Sequence, residues 1–247
     1  MKQLTDLKYG PAECDLFDLF LPDGDCFDLL IWLHGGGLES GNRKGVLFHS
    51  HLCENGIGVA SVEYRMYPEV DFPVFIKDCA KAASYILHHL HEYGQVGRVF
   101  IGGQSAGAYI TLMLALDESY FEKVGINRGR ITGYISDSAQ VMTHYNVLRE
   151  RGMDSRLERV DAGAPLYYLS ASSRFNNLLL ICYDDDIPCR PEENLLLYKY
   201  VQRLCPEQNV QFVRLPGSHC NGSLQPNERG TYDFSEAMLA FIGNLEQ

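Results

Sequence analysis

The stretch Val99-Phe100-Ile101-Gly102-Gly103-Gln104-Ser105-Ala106-Gly107-Ala108 constrains the fold more than any other part of the chain. An apolar, β-branched run enters it, and a helical pattern from Ala106 to Leu116 leaves it. Between them lies Gly-x-Ser-x-Gly, with Gly103, Ser105 and Gly107 at the fixed positions. This is the pattern of a nucleophile elbow, where a strand breaks sharply into a helix and lifts one serine above the end of a sheet. The turn crowds the backbone, so its neighbours must be small, and Gly102, Gly103, Ala106, Gly107 and Ala108 are. The helix N-terminus also sets its dipole and free N–H groups beside the serine, where an oxyanion would form. A tight turn with an incidental serine would look the same over five residues, so the assignment depends on partners elsewhere.

The rest of the chain alternates strand-like and helix-like segments. Residues 13–20 partly alternate polar and apolar, as an edge strand does. Asp28–Leu33 is a continuous apolar run, the mark of a strand covered on both faces. It ends in His34-Gly35-Gly36-Gly37, whose glycines allow close backbone approach and direct N–H groups into open space. Arg43–Asn55 reads as a helix closed by Gly56, and Ile57–Val62 as the next buried strand. Pro73 opens a further helix, with Val74, Ile76, Ala80, Ala83 and Leu87 on one face. Its end carries His88, His89 and His91, a spacing that does not bring all three to one face. These, like His49 and His51, are expected at the surface rather than on a metal.

Beyond the elbow helix, Ile131–Ser136 is a strand ending in Asp137-Ser138. Residues 140–176 break the rhythm, with helical turns expected at 143–151 and 165–170, and read as a small insertion above the sheet. Leu178–Cys182 restores a buried strand, followed by Tyr183-Asp184-Asp185-Asp186. A helix over 191–204, a strand over 210–215, the loop Pro216-Gly217-Ser218-His219-Cys220-Asn221-Gly222 and a helix over 234–245 complete the chain. The pattern predicts a mostly parallel central sheet with helices on both faces, as one domain over 1–247. In such a sheet, ligands bind at the carboxyl ends of the strands. His34–Gly37, Ser105, Asp184–Asp186 and His219 all follow strands, so they are expected along one rim.

A serine hydroxyl needs a base within hydrogen-bond reach, and the base needs a carboxylate that fixes its tautomer. Chain order Ser, acid, His suits this architecture. Ser105 is the expected nucleophile and His219, in a glycine-bearing loop after the last strand, the expected base. Among three adjacent aspartates, Asp186 is preferred as the acid because it lies deepest in the loop and precedes Ile187-Pro188. Asp184 is the alternative, and Asp137 a lesser one.

The chain resembles an α/β-hydrolase of the esterase/lipase group that carries His-Gly-Gly-Gly, akin to acetyl esterases and kynurenine formamidase-like enzymes. The resemblance runs from about Asp15 to the last helix. It rests on His34–Gly37, Tyr64-Arg65-x-x-Pro68-Glu69 with Phe72-Pro73, Gly103–Gly107, Asp186 and His219. It implies backbone N–H donors at Gly36, Gly37 and Ala106 for the oxyanion, and structural roles for Arg65 and Asp78. Gln104 stands where hormone-sensitive-lipase-like members often have Asp, and the chain starts too close to its first strands to hold their helical cap. The segment His144–Gly152 resembles one in compact acetyl-esterase and formamidase-like members.

The expectation is therefore a serine esterase for small acyl groups, with no metal and no organic cofactor. Hydrolysis of an arylformamide such as N-formylkynurenine is the alternative with the same three side chains. A non-catalytic protein on this fold usually loses the serine or the histidine, and both are present. A thiol enzyme would need a cysteine at an elbow, and none of the eight stands there. The net charge of −11 argues against nucleic acid and anionic membranes as partners and leaves a small-molecule ester substrate. The cysteines lack CxxC spacing and read as buried free thiols in a reducing compartment. With no apolar h-region in the first eleven residues, that predicts a cytoplasmic location.

Overall fold

The computed structural model describes residues 1–245; the last two residues of the expected domain lie outside it. Its strands are β1 (Lys2–Lys8), β2 (Leu16–Leu21), β3 (Cys26–Leu33), β4 (Ile57–Val62), β5 (Gln95–Gln104), β6 (Gly133–Asp137), β7 (Asn177–Asp185) and β8 (Asn209–Ser218). Its helices are α1 (His49–Glu54), α2 (Val74–His89), α3 (Ala106–Leu116), α4 (Ser119–Lys123), α5 (Tyr145–Glu150), α6 (Pro165–Tyr168), α7 (Arg190–Leu204), α8 (Asn221–Leu224) and α9 (Asp233–Asn244). The strands form one sheet in the order β1-β2-β4-β3-β5-β6-β7-β8. β1 and β2 run antiparallel to their neighbours, and every pairing from β4 through β8 is parallel.

Each central strand serves two cores, because side chains alternate across a sheet. Leu29, Ile31 and Leu33 of β3 join the core beneath α2, α3 and α7. Leu30 and Trp32 face the core beneath α1 and α9. There the Trp32 ring meets Phe48 and Phe234 edge-on, at 4.8 and 4.9 Å. This double covering explains the unbroken apolar runs. All eleven residues of α3 are buried, so the elbow helix is locked in the interior.

The elbow forms because its glycines have no room for a side chain. A Cβ on Gly107 would lie 2.0 Å from the Leu33 carbonyl oxygen, and one on Gly103 2.4 Å from the Gly107 carbonyl carbon. Strand β5 can therefore turn into α3 directly against the end of β3.

Four expectations need correction. The edge strand is β1, which is largely exposed, and β2 is buried within the sheet. The helix expected over 43–55 is a short 3-10 turn at Arg43–Gly45 followed by α1. Arg43 is drawn inward instead: its guanidinium contacts Asp18 at 3.0 Å, Glu63 at 3.2 Å and Asp6. Cys26 and Cys189 are exposed and Cys14 half-buried, so only five of the eight free thiols are buried. Within α2, Phe75 and Cys79 are buried and Val74 only partly.

Candidate active site

The loops after β3, β5, β6, β7 and β8 meet at one rim. Ser105, the N-cap of α3, has φ 52° and ψ −113°. A non-glycine residue in that region is strained and must be held by its surroundings. Here the Ser105 N–H donates to the Asp137 carbonyl at 2.8 Å, and the Ser105 carbonyl accepts from Tyr109 N–H at 2.9 Å.

The Ser105 hydroxyl oxygen lies 2.9 Å from His219 Nε2. On the other side of the ring, His219 Nδ1 lies 2.6 Å from Asp186 Oδ1. An anionic carboxylate on Nδ1 requires the proton there and leaves Nε2 to accept from Ser105. The Asp186 carboxylate is fully buried, whereas a quarter of the His219 side chain is exposed. Burial pushes the Asp186 carboxyl up, but hydrogen bonds from His219 and Ser138 outweigh it and hold it below its usual value. Tyr183 N–H at 3.2 Å and Ile187 N–H at 2.8 Å also donate to it.

Of the other acids considered, Asp184 is exposed and pairs with Arg214 at 2.9 Å, and Asp185 is exposed. Asp137 is fully buried and faces away, accepting from Tyr183 Oη at 2.8 Å and Ser223 Oγ at 2.6 Å. Burial pushes its carboxyl up to about 6 against those two hydrogen bonds.

Gly36 and Gly37 have φ of +114° and +69°. Their loop is closed by Ser40 N–H donating to the Gly36 carbonyl at 3.0 Å and by Asn146 Nδ2 donating to the Gly37 carbonyl at 2.9 Å. His34 backs it: its ring stacks on Tyr64 at 4.3 Å, and Tyr64 Oη donates to the His34 carbonyl at 2.7 Å. His34 Nε2 sits 3.3 Å from Glu63, the carboxylate that Arg43 also holds. Among the described residues, no N–H of Gly36, Gly37 or Ala106 donates to another part of the chain. Three free donors at a rim beside a hydroxyl, an imidazole and a buried carboxylate are what acyl transfer through an oxyanion requires.

Arg65 clasps Asp78 through two hydrogen bonds of 2.8 Å. Gln104 accepts from Ser223 Oγ at 3.4 Å. His88 and His89 turn Nδ1 toward carbonyls one turn back in α2. Among the described residues, no group of three or more His, Cys, Asp or Glu is placed to hold a metal ion. No helix among them is long and apolar enough to cross a membrane.

Sequence reasoning missed Ser138. At φ 63° its Oγ donates to Asp186 Oδ2 at 2.5 Å and lies 2.9 Å from His219 Nδ1. Its place directly after a strand, next to Asp137, was the only signal. Asn146, which holds the Gly37 carbonyl from α5, was also missed, as was the ion cluster at Arg43.

The BD-FAE family profile matches residues 17–146. Among curated proteins, the chain is 30% identical over 114 residues to a probable isoprenylcysteine alpha-carbonyl methylesterase, ICMEL1, of Arabidopsis thaliana, covering 44% of this chain and 24% of that protein. It is 26% identical over 174 residues to esterase LipI of Mycobacterium tuberculosis, covering 68% and 47%. The chain thus spans less than half the length of either relative. A truncated carbohydrate esterase from gut microbiota superposes with a TM-score of 0.79 at 15% identity, over 100% of this chain and 97% of that one. At that identity the likeness speaks for the fold.

Proposed function

The chain belongs to the BD-FAE family of α/β-hydrolase esterases, and from that premise we propose that it hydrolyses carboxylic esters with a small acyl group through an acyl-enzyme on Ser105. The observation that carries this reading is the continuous run of contacts from Ser105 Oγ to His219 Nε2 at 2.9 Å and from His219 Nδ1 to Asp186 Oδ1 at 2.6 Å.

In the first half-reaction, His219 Nε2 takes the Ser105 proton as Oγ bonds to the ester carbonyl carbon. Asp186 holds the ring and stabilises its cationic form. The carbonyl oxygen becomes an oxyanion facing the N–H groups of Gly36, Gly37 and Ala106, each worth on the order of 10²–10³ in rate. Collapse breaks the bond to the alcohol, which leaves with the proton from His219. Water then attacks the acyl-enzyme with His219 again as base, restoring Ser105. No step calls for a metal or an organic cofactor.

The preference for a small acyl group rests on the insertion. In residues 140–176 only α5 and α6, of six and four residues, are helical, and they offer little cover for a long chain. The reading takes 1–247 as one α/β-hydrolase domain acting on a small molecule. The cysteines, none paired among the described residues, fit a reducing, cytoplasmic setting.

The test is a panel of p-nitrophenyl esters of rising chain length beside N-formylkynurenine, each run with wild type and Ser105→Ala. Highest kcat/KM on acetate, lost in Ser105→Ala, supports the reading. Turnover of the formamide in preference to every ester replaces it with the amide reaction.

A further inference from the structure

Helix α5 is fastened over the glycine loop at several points. Asn146 Nδ2 donates to the Gly37 carbonyl at 2.9 Å. Arg149 pairs with Glu39 at 2.7 Å and lies over the Tyr67 ring. The Glu150 carboxylate accepts from Phe72 N–H at 3.0 Å. At the N-terminal end of α5, the His144 ring accepts from Asn146 N–H, and Tyr145 N–H donates to Gln140 Oε1 at 3.1 Å.

These contacts aim one side chain at the loop. A Cβ on Gly37 would lie 1.9 Å from Tyr145 Oη and 3.1 Å from Tyr145 Cζ, so the phenol meets the Gly37 backbone end-on. The ring is half-buried, and the hydroxyl has no hydrogen-bond partner among the described residues. The hydroxyl is not among the buried unpartnered atoms, so it remains open to a ligand as a donor. Gly37 is therefore glycine for two reasons: its φ of +69°, and the hydroxyl occupying the space of its side chain.

We propose that Tyr145 is a catalytic residue whose hydroxyl donates a hydrogen bond to the substrate oxyanion held at Gly36, Gly37 and Ala106. The inference rests on the reading of that loop as an oxyanion hole. Burial raises the phenol above its ordinary value, so it stays protonated as a donor at neutral pH. The helix holding it is already docked, so the donor needs no reorganisation as charge develops on the oxygen. The ground-state carbonyl, with less charge, gains less from the same donor, and the effect should fall on kcat rather than KM.

The experiment compares wild type, Tyr145→Phe and Ser105→Ala on p-nitrophenyl acetate, with inhibition by a trifluoromethyl ketone that forms a hemiketal oxyanion. Removing one oxygen from Tyr145 should lower kcat on the order of 10- to 100-fold, with KM within about threefold. Ketone affinity should fall by a factor similar to kcat, with the melting temperature little changed. If Tyr145→Phe keeps kcat and ketone affinity within twofold while Ser105→Ala is inactive, Tyr145 is no donor and the oxyanion reading stands. If Ser105→Ala itself turns over, the reading beneath the proposal fails as well.

Discussion

The Ser138 hydroxyl donates to Asp186 Oδ2 at 2.5 Å, on the opposite side of the carboxylate from the oxygen that meets His219. One buried carboxylate is thus held from both sides, and Ser138 Oγ also lies 2.9 Å from His219 Nδ1. Its backbone is fixed in turn, with Ser138 N–H donating to the Ile181 carbonyl at 2.8 Å and Arg190 Nη1 reaching the Ser138 carbonyl at 3.4 Å. On the proposed reading, Ser138 acts through Asp186 and His219 as a positioning residue.

Ser138→Ala should therefore reduce kcat/KM by roughly 10- to 100-fold, because a hydrogen bond to a charged group is worth about 1.5–3 kcal/mol. Steady-state kinetics checks the loss. The far-downfield NMR signal of the His219 Nδ1 proton should move with it, a readout that a purely structural defect would not select. Unchanged kcat/KM would remove Ser138 from the account.

The Asp137 carboxyl, raised to about 6 by burial, makes a pH prediction. Its folded value lies above the unfolded one near 4, so between pH 4 and 6 the folded state binds more protons. Folding stability from this group is then greatest at low pH and falls as pH rises through about 6, by roughly 3 kcal/mol in all. Asp137→Asn keeps an acceptor for one of the two hydroxyls of Tyr183 and Ser223, offers an N–H that the other can accept, and removes the titration. Urea unfolding across pH 4–8 should show the variant gaining on wild type as pH rises, and a constant difference would contradict the assignment.

Arg43 stands between Asp6, Asp18 and Glu63, and Asp18 is 3% exposed. Arg43→Met leaves buried carboxylates without their cation, at a cost of about 3–5 kcal/mol. Part of what holds the Glu63 carboxyl below its usual value goes with Arg43, so the deficit should shrink as pH falls from 7 to about 4. Denaturation midpoints at the two pH values check both parts. Because Glu63 also touches His34, activity should fall with the loop it supports.

Gly107→Ala sets a Cβ 2.0 Å from a backbone oxygen of Leu33, which has no flexible end to move aside. The expected cost is about 3 kcal/mol or more, or roughly 6–12 °C in Tm for a chain of this size. Calorimetry decides it, and a variant as stable as wild type would show that the β5–α3 turn is looser than described.

The parts of the fold readable from sequence were those set by local pattern. β4 was expected over Ile57–Val62 and α3 over Ala106–Leu116, and both have those bounds, because doubly covered strands and a mostly apolar helix leave unambiguous runs. β1 escaped notice because it is mostly exposed and exists through its pairing with β2. The break after Arg43 was hidden because that side chain turns inward to carboxylates 25 and 20 residues away, a tertiary effect that no local window contains. At the rim, loop position and the following Ile187-Pro188 separated Asp186 from its neighbours. Ser138 shows only its place after a strand and Tyr145 only its place within His144–Gly152, since the partners of each are brought near only by folding.

The most direct test is to react the protein with a phosphonylating p-nitrophenyl ester and map the adduct by peptide mass spectrometry, alongside turnover of p-nitrophenyl acetate by Ser105→Ala. The account predicts one phosphonyl group, on Ser105, and no turnover by the variant. An adduct at another residue, or a Ser105→Ala enzyme that still hydrolyses the ester, would contradict it.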